Sequence, residues 1–175
     1  MLSAVAALPQ TGGMKHLFLL ALSLPLLAAE PAILNETFGD PVAAAKAWRG
    51  PGAADDGGWR IALPAVGTAK VSTGLPAERI AGKQIRLSAR LRSEAVTARP
   101  EKWNGIKIQL VLVDAAGAKQ YPQLTTTDGT QAWTPLSQLL TIPAGITKAD
   151  LVIGLENVSG TAWFDDLRVE LVTAP

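Results

Sequence analysis

The chain has 175 residues, with 16 basic against 15 acidic side chains, and so lacks the charge excess that would grip nucleic acid or an acidic membrane. It has no cysteine and a single histidine, His16. Disulfides and thiolate-ligated metals are excluded, and so are Ser-His-Asp triads, Cys-His pairs and histidine-ligated zinc once residue 16 is removed with the leader read below.

Met14-Lys15-His16 opens a short basic region, and Leu17 to Leu27 follows as an apolar run interrupted by Pro25 and ending in Ala28-Ala29. That order describes a secretory signal peptide over residues 1–29, with cleavage expected after Ala29 and Met14 as an alternative start. The run is too short for a stable membrane span, although a retained anchor is the competing reading. Removing Lys15 leaves 15 basic and 15 acidic residues, a near-neutral product expected in the periplasm or outside the cell, with no membrane attachment after leader cleavage.

The rest reads as one β-rich domain over residues 33–173. Ile33 to Pro64 is an irregular entry, with one helical turn at Ala43 to Trp48, a glycine-rich loop from Gly50 to Gly58, and a short strand from Trp59 to Leu63. Ala69 to Thr73 is a second short strand. From Gln84 to Arg92, Ile85, Leu87, Ala89 and Leu91 alternate with Arg86, Ser88, Arg90 and Arg92. From Gly105 to Asp114, Ile106, Ile108, Leu110 and Leu112 alternate with Lys107, Gln109, Val111 and Val113. After the turn Asp114-Ala115-Ala116-Gly117, Lys119 to Thr126 is expected to return as its partner. Trp133 to Thr141 and Ala149 to Glu156 are further strands. The last strand follows the turn Ser159-Gly160, with Leu167, Val169 and Leu171 on one face and Arg168 and Glu170 on the other. Eight to ten short strands split by Gly, Pro and Asp turns, with no long helical period, predict an all-β fold, an antiparallel β-sandwich of jelly-roll kind.

The closing run Gly160-Thr161-Ala162-Trp163-Phe164-Asp165-Asp166-Leu167-Arg168-Val169 resembles the last strand of the galactose-binding-like jelly rolls found in many carbohydrate-binding modules. Asn35-Glu36-Thr37-Phe38-Gly39 is similar to their N-terminal "N-x-x-F-E", except that Gly39 replaces the glutamate. Ile85 to Arg92 resembles their "Y-x-L-S-A-x-V-R" strand, and Gly129-Thr130-Gln131-Ala132-Trp133 with Ile142-Pro143-Ala144-Gly145 resembles a "G-T-x-x-W … P-x-G" section. The resemblance implies a non-catalytic module binding a polysaccharide or oligosaccharide, either free-standing or as the N-terminal part of a glycoside hydrolase with an appended catalytic domain. It also implies a structural calcium ion (Ca2+) where the first and last strands meet. Asp165, which shares parity with Leu167 and Val169, is the first candidate ligand. Asp40 or Glu36 would replace the missing glutamate. The competing reading has Asp165 capping backbone N–H groups.

Flat aromatics beside hydrogen-bonding side chains suit sugar rings, which present apolar faces and polar edges. Trp59, Trp103 and Tyr121 are the expected stacking residues, with Trp133 and Trp163 assigned to the core and Trp48 left between core and surface. Arg86, Arg90, Gln109 and Gln123 are the expected hydrogen-bonding residues. With Ser88, Lys107 and Thr125, they would project from one sheet face, which an ordinary solvated surface would explain equally well. Its arginines would also tolerate a uronate polymer. Two further readings compete: a structural or protein-interaction sandwich without a sugar site, and a small carboxylate-based polysaccharide-active enzyme. The enzyme needs two carboxylates facing each other across about 5–10 Å. Asp165-Asp166 does not supply them, since strand neighbours point to opposite faces, and Asp55-Asp56 sits in a glycine-rich turn.

Overall fold

The computed structural model describes residues 32–55 and 57–172. The proposed leader, Asp56 and the chain end from residue 173 lie outside the described residues. In order come β1 (Leu34–Glu36), α1 (Pro41–Ala47), β2 (Ala53–Asp55), β3 (Gly58–Leu75), α2 (Ala77–Ile80), β4 (Gln84–Val96), β5 (Gly105–Asp114), β6 (Lys119–Gln120), β7 (Gly129–Thr141) and β8 (Ile146–Leu171).

Two long strands organise the molecule. β3 pairs antiparallel with β8 along nearly its full length, from Trp59 opposite Phe164 to Leu75 opposite Ala149. The first half of β8 pairs on its other edge with β5, Gly105 opposite Glu156 through Asp114 opposite Ile146. The second half pairs instead with β4, Glu94 opposite Thr161 through Ile85 opposite Leu171. β4 also carries β7, and β1 lies against Leu167 to Val169. The hydrogen-bonded network is therefore continuous but folded into two layers, and β3 and β8 belong to both. Every pairing is antiparallel. The apolar alternates of each strand meet between the layers: Ile85, Leu87 and Leu91 from β4, Ile108 and Leu110 from β5, Leu151, Ile153, Leu155 and Phe164 from β8.

The sequence suggests two short strands, Trp59 to Leu63 and Ala69 to Thr73, where β3 is continuous, and a turn at Ser159-Gly160 where β8 is continuous. Pro64 to Thr68 and Gly160 mark irregularities within these strands rather than their ends. They are the corners where the pair passes from one layer to the other. The β3 register slips between Leu63 and Gly67, and again at Thr68. Gly160 has φ +119°, and a Cβ there would lie 2.6 Å from the Cα of Val96, so the residue permits a close crossing rather than ending a strand. The expected helical turn is α1, capped by Asp40.

A second irregularity corrects the parity assigned to the acidic pair. Ser88 lies opposite Arg168 but Arg90 lies opposite Asp165, so one residue of β4 faces two of β8. Asp166, at φ +47°, is the extra residue. Ala162 and Phe164 point inward, and so do Leu167 and Val169, three residues after Phe164 rather than two. Asp165 therefore lies on the outer face with Trp163, not on the core face with Leu167.

Candidate functional site

The outer face of the first layer holds a cleft of about 370 Å³ lined by Lys70, Trp103, Lys107, Gln109, Tyr121, Gln123 and Glu156. Its floor follows from strand alternation. Ile106 and Ile108 face the core, so Lys107 and Gln109 face out. Gln109 bridges to Gln123 on the segment after β6, which brings the two amides side by side. Gly154 lies opposite both Lys70 and Lys107, with no side chain to separate them.

A buried cation ties the floor to the wall. Lys107 is 3 % exposed. Its ammonium donates to the backbone carbonyl of Trp103, to Gln123 Oε1 at 3.2 Å and to Glu156 Oε2 at 2.9 Å. All three N–H donors are thus used. The contact engages Gln123 Oε1 as acceptor and leaves that amide's NH2 as its donor group. Glu156 Oε1 pairs with Lys70 at 3.2 Å. Burial pushes the Glu156 carboxyl up, but hydrogen bonds and charge from Lys107 and Lys70 outweigh it and hold the group below its ordinary value.

The wall is the loop 97–104, which carries Trp103. It is pinned at its start as well as its end: Arg99 binds Asp128 through Nη2 at 2.7 Å and through Nε at 3.0 Å, and reaches the Thr126 carbonyl at 2.8 Å. Burial of Asp128 is likewise outweighed by the Arg99 hydrogen bonds and charge, and its carboxyl lies below the ordinary value. Trp103 is 56 % exposed and Tyr121 55 %, and they are the two strongly exposed aromatics among the described residues. Both belong to this cleft.

Four of the seven expected sugar contacts, Trp103, Gln109, Tyr121 and Gln123, are therefore brought together. Trp59 is not among them: it is 3 % exposed and packs against Phe38, ring centroids 5.6 Å apart, because the β2–β3 hairpin turns it inward with Ile61. Arg86 and Arg90 lie on β4, in the other layer. β4 and β5 follow one another in sequence but pair with different halves of β8, so their polar alternates never share a face. Arg90 instead sits over the Trp133 ring, 5.0 Å from its centroid, and Trp133 is a half-buried outer-face residue rather than the core residue expected. Trp163 is buried, yet on the outer face too, with Arg92 at 4.4 Å and Arg60 at 5.9 Å from its ring centre. Trp48 belongs to the core. Lys70 and Glu156 had not been counted as sugar contacts. Gly154 inside an otherwise apolar strand was the available signal, since such a glycine marks close backbone approach.

The three carboxylates proposed for calcium are separately engaged. Glu36 accepts from the Phe38 N–H at 2.7 Å and from Trp48 Nε1 at 3.2 Å. Asp40 accepts from the N–H groups of Val42 and Ala43. Asp165 Oδ2 lies 3.3 Å from Arg90 Nη1, while its Oδ1 is buried without a partner. Burial is the main reason the Asp165 carboxyl is raised above its ordinary value, and the neighbouring Asp166 charge adds to it, against backbone and arginine contributions that lower it. Calcium asks for six to eight oxygens. Among the described residues no three His, Cys, Asp or Glu gather for a metal. No helix among the described residues is long and apolar enough to cross a membrane.

No family model matches the sequence, and no curated protein does. Solved structures do match. The chain is similar to a xylan-binding domain from family 22 of the carbohydrate-binding modules, with TM-score 0.60, 13 % identity, and 83 % of this chain and 98 % of that one covered. It is similar to the C-terminal family 22 module of Clostridium thermocellum Xyn10B, with TM-score 0.58, 14 % identity, and 82 % and 96 % covered. A third likeness is to the N-terminal xylanase structure of the same organism, a family 22 module joined to a GH10 module and complexed with xylohexaose. The TM-score there is 0.58 at 11 % identity, over 80 % of this chain and 28 % of that one. At these identities the likeness establishes the fold, an antiparallel jelly-roll β-sandwich of the kind that carbohydrate-binding modules have.

Proposed function

We propose that this chain is an exported, non-catalytic module that holds a polysaccharide chain in the cleft between Trp103 and Tyr121. The observation that carries the reading is the gathering of both strongly exposed aromatics with two glutamines in one cleft. Aromatic faces pack on sugar C–H surfaces, and the Gln109 and Gln123 amides bridge neighbouring hydroxyls. The loop with Trp103 is held before binding, so little ordering cost opposes the ligand. The same fold in proteins named for xylan binding supports the reading, as does the leader-like N-terminus. The neighbour joined to a GH10 module supports an appended catalytic domain.

Affinity electrophoresis on soluble xylans, glucans, mannans and pectins tests this. Retardation is expected on at least one polymer, and Trp103→Ala should cost about 2 kcal/mol, roughly thirtyfold in affinity. Tyr121→Ala should weaken the same interaction. Wild-type mobility unchanged on every polymer would sink the sugar-binding reading.

A further inference from the structure

The polysaccharide reading does not use one group in the cleft, the ammonium of Lys70. Lys107 spends its three donors on Trp103, Gln123 and Glu156. Lys70 gives one to Glu156 Oε1 at 3.2 Å, and its side chain remains 39 % exposed. The one carboxylate in the cleft thus divides its two oxygens between two cations, leaving an excess of one positive charge. Farther along the same face, Asp150 does not cancel it, because its Oδ2 is paired with Lys148 at 2.9 Å. A neutral glycan has nothing to match that charge, and amide and aromatic side chains alone would bind one. A sugar carboxylate matches it directly, and desolvation on the cleft wall strengthens the pairing.

Resting on the polysaccharide reading of this cleft, we propose that its ligand is an acidic polysaccharide and that Lys70 receives a uronate carboxylate. Gly154 brings the two lysines together on one face: it lies between Lys70 and Lys107 in the pairing register, and no side chain rises from it to separate them. Lys107 then acts as a positioning residue and Lys70 as the specificity-determining one.

The test titrates the full chain with glucuronic-acid-substituted xylan, with the same polymer after carboxyl reduction, and with sodium polygalacturonate, each at low and high salt. At least one acidic polymer should bind about two- to fivefold more tightly at low salt than at high salt, and the substituted xylan should exceed its reduced form by a similar factor. Lys70→Gln should erase that preference, so that the native and reduced polymers bind alike, while Lys70→Arg should keep it. Equal affinity of wild type for the native and reduced polymers would overturn the assignment and leave the sugar-binding reading standing. So would a Lys70→Gln variant that weakens both polymers alike. Failure of all three polymers to bind would overturn the assignment, and only failure across the glucans and mannans as well would overturn the sugar-binding reading.

Discussion

Lys107 shows how the cleft depends on a residue that never needs to touch a ligand. It is buried, and its head satisfies a loop carbonyl, an amide and a carboxylate at once. Lys107→Met preserves volume but leaves three acceptors without their donor. We expect a stability loss of about 2–4 kcal/mol, measured by urea unfolding. The variant that remains folded should bind sugar at least as poorly as Trp103→Ala, because the Trp103 loop and the Gln123 amide both lose their anchor. A folded Lys107→Met protein with wild-type affinity would show that the loop positions itself. Alternation placed this lysine on the outer face from sequence alone. Its burial was not legible there, because two of its partners, Gln123 and Glu156, arrive from later segments that local alternation does not place beside it.

At the scale of elements, the alternating strands β4 and β5 were readable to within a few residues, since their apolar faces repeat with period 2. Which strands share a layer was not readable. That depends on β8 exchanging β5 for β4 as its partner midway, and a local pattern carries no record of long-range pairing. Gly160, which made the sequence look broken, helps keep β8 whole, and so does Gly154 inside the expected strand. A Cβ at Gly154 would lie 2.3 Å from the carbonyl oxygen of Ala69, so Gly154→Ala must push β3 away from β8 at the cleft floor. It should cost at least about 2 kcal/mol. Gly145→Ala is the matching control, since nothing lies within 4 Å of a Cβ there, and it should change stability little. Equal denaturation midpoints for the two variants would refute close strand contact at Gly154.

For the whole molecule, the closing-strand motif marked the fold correctly, but the bulge at Asp166 decides what its first aspartate does. Asp128 and Glu156 have carboxyls held below their ordinary values of 3.8 and 4.5. Each contributes stability that is fully present above the ordinary value and is lost as pH falls through the lowered one, so the protein should lose stability in acid below about 4.5. Asp165 runs the other way. Its carboxyl is raised, so its contribution is present below 3.8 and is lost as pH rises through the raised value. At neutral pH the folded protein therefore carries the cost of a buried charge with one unpartnered oxygen, which the Asp166 backbone and the arginines Arg90 and Arg168 offset only in part. Asp165→Asn removes that cost, and Arg90 keeps Asp166 at 3.6 Å and the Trp133 ring. The variant should melt at or above the wild-type temperature at neutral pH, by up to about 1 kcal/mol in stability. The difference should vanish below pH 3.8, where the wild-type carboxyl is protonated in both the folded and unfolded states. A calcium ion on Asp165 would give the opposite pattern: chelation would lower the melting temperature, and Asp165→Asn would destabilise the protein at neutral pH. Melting wild type and variant across pH, with and without chelator, separates the two cases. The expected result is a chelator-insensitive transition, because Asp165 pairs with Arg90, Glu36 accepts from the Phe38 N–H and Trp48, and Asp40 caps its own helix.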